Sequence, residues 1–126
     1  MTVTVMLQPE PTFEAPVEIH VPGKGATPMT WTFRHLKASE IEKIQKKWGV
    51  SDVETAAAKA ADSKKDAKAA KSFDPVAYLM EFAGGWELKE DFSKRNVEVF
   101  FDYYPAAWLE TLRVYWSERV GARRKN

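Results

Sequence analysis

Two apolar stripes at helical spacing, split by Tyr104-Pro105, constrain this chain more than anything else in it. After Pro105, residues Trp108, Leu109, Leu112, Tyr115, Trp116 and Val120 recur every three or four positions, which lines one side of an α-helix of about four turns. Glu110, Arg113, Ser117 and Glu118 fall on the other side. Gly121 suits a left-handed terminator, and Arg119 lies in the last turn, where free carbonyls favour positive charge. Before Pro105, Ser93 caps a second helix whose stripe is Val97, Phe100, Phe101 and Tyr104. Proline removes a donor and disfavours helical geometry in the residue before it, so the two helices must be separate. A third, shorter helix opens at Asp74-Pro75, with Phe73 and Tyr78 spaced as a hydrophobic staple, and stops at Gly84-Gly85.

The first half reads differently. Val17, Ile19 and Val21 alternate with Glu18 and His20, and Met29, Trp31 and Phe33 repeat the pattern after the turn-rich stretch Pro22 to Pro28. A β-hairpin with a somewhat long loop is predicted, and a lone hairpin needs a cover for its apolar face. The fifteen residues before it, with Val3, Val5 and Leu7 alternating ahead of three prolines, read as an extended arm with a possible edge strand. Ser39 and Glu42 form an S-x-x-E capping box opening a helix through Ile41 and Ile44 to Trp48, ended by Gly49. Ser51 to Ser72 holds eight Ala, five Lys and four acidic residues around one large apolar group, Val53. Helix propensity is high there but little can be buried, so a solvated, partly helical excursion and a flexible linker both fit. The expected architecture is α+β: one domain over 1–126 in which an N-terminal β-hairpin packs on a small, mainly α-helical cluster. Within it, 1–50 is arm, hairpin and capped helix, 51–72 the Ala/Lys-rich excursion, and 73–126 the aromatic-rich helical part.

A chain of 126 residues can bury a real core. A formal net charge of +1 implies neither nucleic acid nor an acidic membrane surface as partner. With no run of about twenty apolar residues and no signal-like start, the chain is expected to stay where it is made. Absence of cysteine excludes disulfides and thiolate zinc sites. Seven Phe, five Trp and four Tyr are a generous supply for so small a domain, because each ring buries about 150–250 Å². Most belong to a core. Residues off the main stripes are candidates for a sticky surface, on which Trp and Tyr serve as anchors. These are Trp86, in the connection after Gly84-Gly85; Val99 and Tyr103, an i,i+4 pair beside the stripe of their helix; and Val114, similarly offset.

No catalytic residue, metal site or cofactor is predicted. His20 and His35 are not in a metal-ligand spacing, Gly23 and Gly25 lack the rest of a phosphate loop, and no nucleophile elbow occurs. An enzyme is therefore not expected. Arg123, Arg124 and Lys125 make a basic C-terminal tail, which by itself reads as a solvated helix end.

Several short blocks occur in a telling order. Phe33, Leu36 and Ser39 give an F-x-x-L hairpin exit leading to a capped helix; Gly85-Trp86 follows a middle helix; D-Y-Y-P at 102–105 precedes the last helix; and GARRKN closes the chain. Over roughly Val17 to Lys47 and Phe73 to Asn126 the sequence resembles the tail assembly chaperones of long-tailed bacteriophages and prophages. That resemblance implies a protein of the host bacterial cytoplasm, not expected in the mature virion, that binds the tape measure protein and keeps it soluble, self-associating along it as a homo-oligomer. It also implies a frameshift-extended form that would bring in the tail tube protein, with the basic tail as the junction. A structural head–tail connector or tail completion protein of a phage is the alternative.

Overall fold

The computed structural model describes residues 7–8, 10–65 and 73–120, without the side chains of 63–65. Strands β1 (Thr12–Val21) and β2 (Gly25–Arg34) form the hairpin, followed by helices α1 (Ala38–Trp48), α2 (Val53–Lys65) and α3 (Pro75–Met80). A third strand, β3 (Ala83–Trp86), then leads to α4 (Lys94–Tyr103) and α5 (Ala106–Val120). The sheet is antiparallel in the order β1-β2-β3. The α+β class with an N-terminal hairpin on a helical cluster is thus the observed one.

The hairpin is longer and its turn tighter than the sequence suggested. Pro22-Gly23 forms the centre of the turn, with Gly23 at φ 85° and the Lys24 N–H donating to the Val21 carbonyl at 2.9 Å. A proline followed by a residue at positive φ is the type II arrangement, for which glycine is the favoured second residue. Pro16 and Pro28 had looked like strand breakers, yet both lie inside strands. The reason is register. Thr30 turns its N–H and C=O away from β1, to the Glu87 carboxylate and the Glu87 N–H. Antiparallel partners alternate between bonded and non-bonded pairs, so Pro16, opposite Thr30, and Pro28, opposite Glu18, also turn their nitrogens away from the β1–β2 ladder. Neither proline removes a bond.

The sheet's apolar face carries Ala15, Val17 and Ile19 from β1 and Met29, Trp31 and Phe33 from β2, all buried. α5 crosses β1, placing Trp108, Leu112 and Tyr115 in the core, while Val97, Phe100 and Phe101 of α4 pack towards Trp31. Val120 does not join them: at the far end of α5 it is 65% exposed, so the predicted stripe ends one turn early. Phe82 joins the two halves of the core, with its ring 5.0 Å from that of Tyr115 and 5.2 Å from that of Tyr78.

Helix boundaries follow local chemistry. Asp74 caps α3 by accepting from the Val76 and Ala77 N–H groups, and the Phe73 and Tyr78 rings meet across its start at 5.5 Å. Ser93 caps α4 through the Asn96 N–H. Gly49 closes α1 at φ 67°. The Ser39–Glu42 box is not used. The helix begins two residues earlier, because Leu36 is still core and Glu40 already reaches back to the Lys37 N–H at 2.8 Å. Asp52 and Thr55 form an unforeseen reciprocal cap for α2. That helix is less solvated than its composition implied, since Ala56 and Ala60 are buried and their small side chains let it lie close to α5. Residues 66–72 of the Ala/Lys-rich excursion lie outside the described residues.

Two buried tyrosines differ in how their hydroxyls are served. Tyr115 donates to the Arg34 carbonyl at 3.1 Å, and burial pushes its pKa up to about 12. Burial raises the Tyr78 pKa too, but its hydroxyl has no hydrogen-bond partner among the described residues. Removing a bonded hydroxyl costs stability, whereas removing an unbonded buried one relieves a desolvation cost. Tyr115→Phe is therefore expected to lose about 1 kcal/mol and Tyr78→Phe to gain up to about 1 kcal/mol in urea denaturation. Losses of equal size would contradict the assignment.

Candidate functional site

The four sequence-selected residues separate into two pairs. Trp86 lies in β3, opposite Trp31, with its ring packed on Trp31, Phe92 and Phe100 and its indole N–H donating to the Glu90 carbonyl at 2.8 Å. It is half-buried, in a strand that sequence reasoning took for a connection. Val114 is also half-buried against the core. Val99 and Tyr103, by contrast, are 48% and 76% exposed on α4. The tail residues Arg123, Arg124 and Lys125 lie outside the described residues.

Val99 stands at the wall of a cleft of about 680 Å³ between α2, α3, α4 and α5. Its apolar lining is Pro75, Val76, Val99, Phe101, Pro105 and Trp108, and its rim carries Asp74, Arg95, Glu98 and Asp102. The cleft is braced rather than loose. The Trp108 indole N–H donates to the Pro75 carbonyl at 2.8 Å, joining α5 to the start of α3. Lys94 bridges Asp74 at 2.6 Å and Glu98 at 3.4 Å, joining α4 to α3. Burial is the largest influence on the Asp74 carboxyl and pushes its pKa up. The hydrogen bonds from Lys94, Ala77 and Val76, with the Lys94 charge itself, together outweigh it and hold the pKa below the ordinary carboxylate value.

The cleft itself was not foreseen, because its walls come from four helices whose packing no single stripe reveals. One signal was available: Val99 and Tyr103 share a face of α4 with charged residues at Arg95 and Asp102. Away from the cleft lining, Glu81 accepts from Lys47 Nζ and from the Trp48 indole N–H, each at 2.9 Å, locking the end of α1 to the turn after α3. Among the described residues no three His, Asp or Glu side chains gather as a metal site, and both histidines are exposed. Among the same residues no helix is long and apolar enough to cross a membrane.

An apolar cleft between helices with a charged rim is a surface that can accept the apolar face of another helix. The chain belongs to the phage tail assembly chaperone family, whose sequence profile matches residues 1–126. Membership places it in tail assembly, as a chaperone with protein partners. No curated protein and no solved structure matches the chain.

Proposed function

We propose that this chaperone binds the tape measure protein and keeps it soluble until tail tube subunits assemble around it, several copies covering one client. The observation carrying this is the apolar cleft walled by Val99, with Tyr103 exposed on the same helix. A long helical client offers apolar residues at i, i+3, i+4 and i+7, and an apolar groove between helices accepts such a face. Trp108 and Phe101 supply the floor, and Val76 and Val99 the flanks. The protein acts in the host cytoplasm and leaves before the virion is complete. Extension past the basic tail by ribosomal frameshifting supplies the contact with the tube protein.

Co-expression with the tape measure protein tests the reading. The client is expected in the soluble fraction only when the chaperone is present. Tyr103→Asp, at an exposed position, is expected to leave the chaperone's unfolding free energy within about 0.5 kcal/mol of wild type and to reduce the soluble client several-fold. Unchanged client solubility without the chaperone would remove the proposal's main support. Recovery of the chain from purified virions would favour a structural tail protein instead.

A further inference from the structure

We infer that the cleft reads charge as well as apolar surface: it selects a helix that carries an acidic and a basic residue two turns apart, beside its apolar stripe. This rests on the proposed capture of a helical client and specifies which helices are captured. The reading groups are Arg95 and Asp102 of α4, both exposed and both at the rim of the cleft. They are seven residues apart, so they sit almost in line and about 10 Å apart along the helix axis. Neither has an ion-pair partner among the described residues.

Their order along the helix is the informative part. A helix favours acids in its first turn and bases in its last, because its free N–H groups and carbonyls carry partial charges there. α4 does the reverse: its first turn has no acid and holds Lys94 and Arg95, while its last turn has no base and holds Asp102. Lys94 is compensated by Asp74 and Glu98. Arg95 and Asp102 have no such compensation within the described part of the chain, so folding gives no reason for their placement.

A bound helix supplies one. Asp74 and Glu98, the other charged groups on the rim, already share Lys94, and the rest of the lining carries no charge. Arg95 and Asp102 are therefore the two charges left to meet an incoming chain. A helix laid along α4 presents its residues i and i+7 at the same interval of about 10 Å and on one side of itself. An acid at the level of Arg95 and a base at the level of Asp102 each meet an unlike charge, and each also meets the favourable end of the α4 dipole. Between them, the apolar stripe of the bound helix faces Val99, Phe101 and Trp108. A helix with acids at both levels sets one of them against Asp102, and a helix with bases at both sets one against Arg95. Charges at a rim contribute less to tightness than to the choice of partner.

The test uses synthetic helical peptides that share one apolar face and differ only at two flank positions seven residues apart, which carry Glu and Lys, Glu and Glu, or Lys and Lys. Binding of each labelled peptide to the full chain is followed by fluorescence anisotropy. Wild type is expected to bind the mixed peptide about fivefold or more tighter than either like-charged one. Asp102→Arg makes both reading groups basic and is expected to move the preference to the Glu and Glu peptide. Arg95→Asp makes both acidic and is expected to move it to the Lys and Lys peptide. The double variant transposes the charges and is expected to prefer the mixed peptide again, bound in the reverse direction. Glu14→Arg, on the solvent side of the sheet, changes the net charge as much as Asp102→Arg does and is expected to leave the preference where it was. Both α4 substitutions bring that helix into line with its dipole, so neither is expected to lower the melting temperature, and because they act in opposite directions either one suffices if the other fails to fold. The inference is overturned if wild type binds the three peptides equally, if the single variants do not move the preference, or if Glu14→Arg moves it as far as Asp102→Arg. Such results, with peptides still bound, leave capture by the cleft standing; binding of none of the peptides would overturn capture and charge reading together.

Discussion

Trp31→Ala is expected to cost about 3–5 kcal/mol, the usual range for deleting a fully buried large aromatic ring, against a total stability of roughly 5–15 kcal/mol for a domain of this kind. Trp31 is 0% exposed at the centre of the sheet face. Its ring stacks on Phe101 at 5.9 Å and an interplanar angle of 10°, and takes edge contacts from Trp86, Phe92 and Phe100 at 5.6 to 6.0 Å. The indole N–H has no partner among the described residues, so the loss is one of packing and not of a hydrogen bond. Trp31→Phe should therefore retain more than half of what Trp31→Ala forfeits. Urea unfolding followed by far-UV circular dichroism measures both. A cost under about 1 kcal/mol for Trp31→Ala would mean that the ring is not at the centre of the core.

Asp74→Ala is the second large effect, expected at about 1–2 kcal/mol from loss of the cap, with a smaller part from the Lys94 bridge. α3 has six residues, so two capped N–H groups are a large fraction of its end groups. Asp74→Asn keeps an accepting oxygen and removes the charge, and should lose clearly less. The same carboxyl makes stability pH-dependent. Asp74 and Glu81 both have folded pKa values below their ordinary ones. For Glu81, burial is the largest influence and pushes upward, while hydrogen bonds from Lys47 and Trp48 and the charges of Lys47 and Arg34 together prevail. A lowered folded pKa means that the unfolded chain takes up protons first as pH falls. The stabilisation is complete well above the unfolded values of about 4, and drains away as pH drops through them towards the lower native ones. Wild type should thus lose stability on acidification below about pH 5, and Asp74→Asn should show a shallower loss. Identical pH profiles would detach Asp74 from this linkage.

Much of the fold was legible because its signals are local and periodic. Val17, Ile19 and Val21, then Met29, Trp31 and Phe33, alternate as strands do, and Ser93, Asp74 and Gly49 mark helix ends through side-chain or backbone chemistry of their own. What escaped depends on distant partners. β3 is four residues containing two glycines, and it becomes a strand only because the edge of β2 lies beside it. Pro16 looked disruptive because its register against Thr30 cannot be read from β1 alone. Val120 continues the α5 stripe in sequence but lies beyond the core it would have to touch. Ala56 and Ala60 seemed too small to matter, and their smallness is what lets α2 approach α5. The exposed face of α4 was partly legible in Val99 and Tyr103, whereas the cleft beside them required the packing of four helices.

The placement of Pro16 in the outermost strand reaches beyond the hairpin itself. A bare strand edge offers any passing chain a ready row of donors and acceptors, its own copies included. Pro16 deletes a donor from the middle of that row, and the flanking Glu14 and Glu18 add repelling charge on the solvent side. Runaway sheet growth is discouraged along that border, so the strand that begins the fold can lie at the rim of the sheet without inviting another.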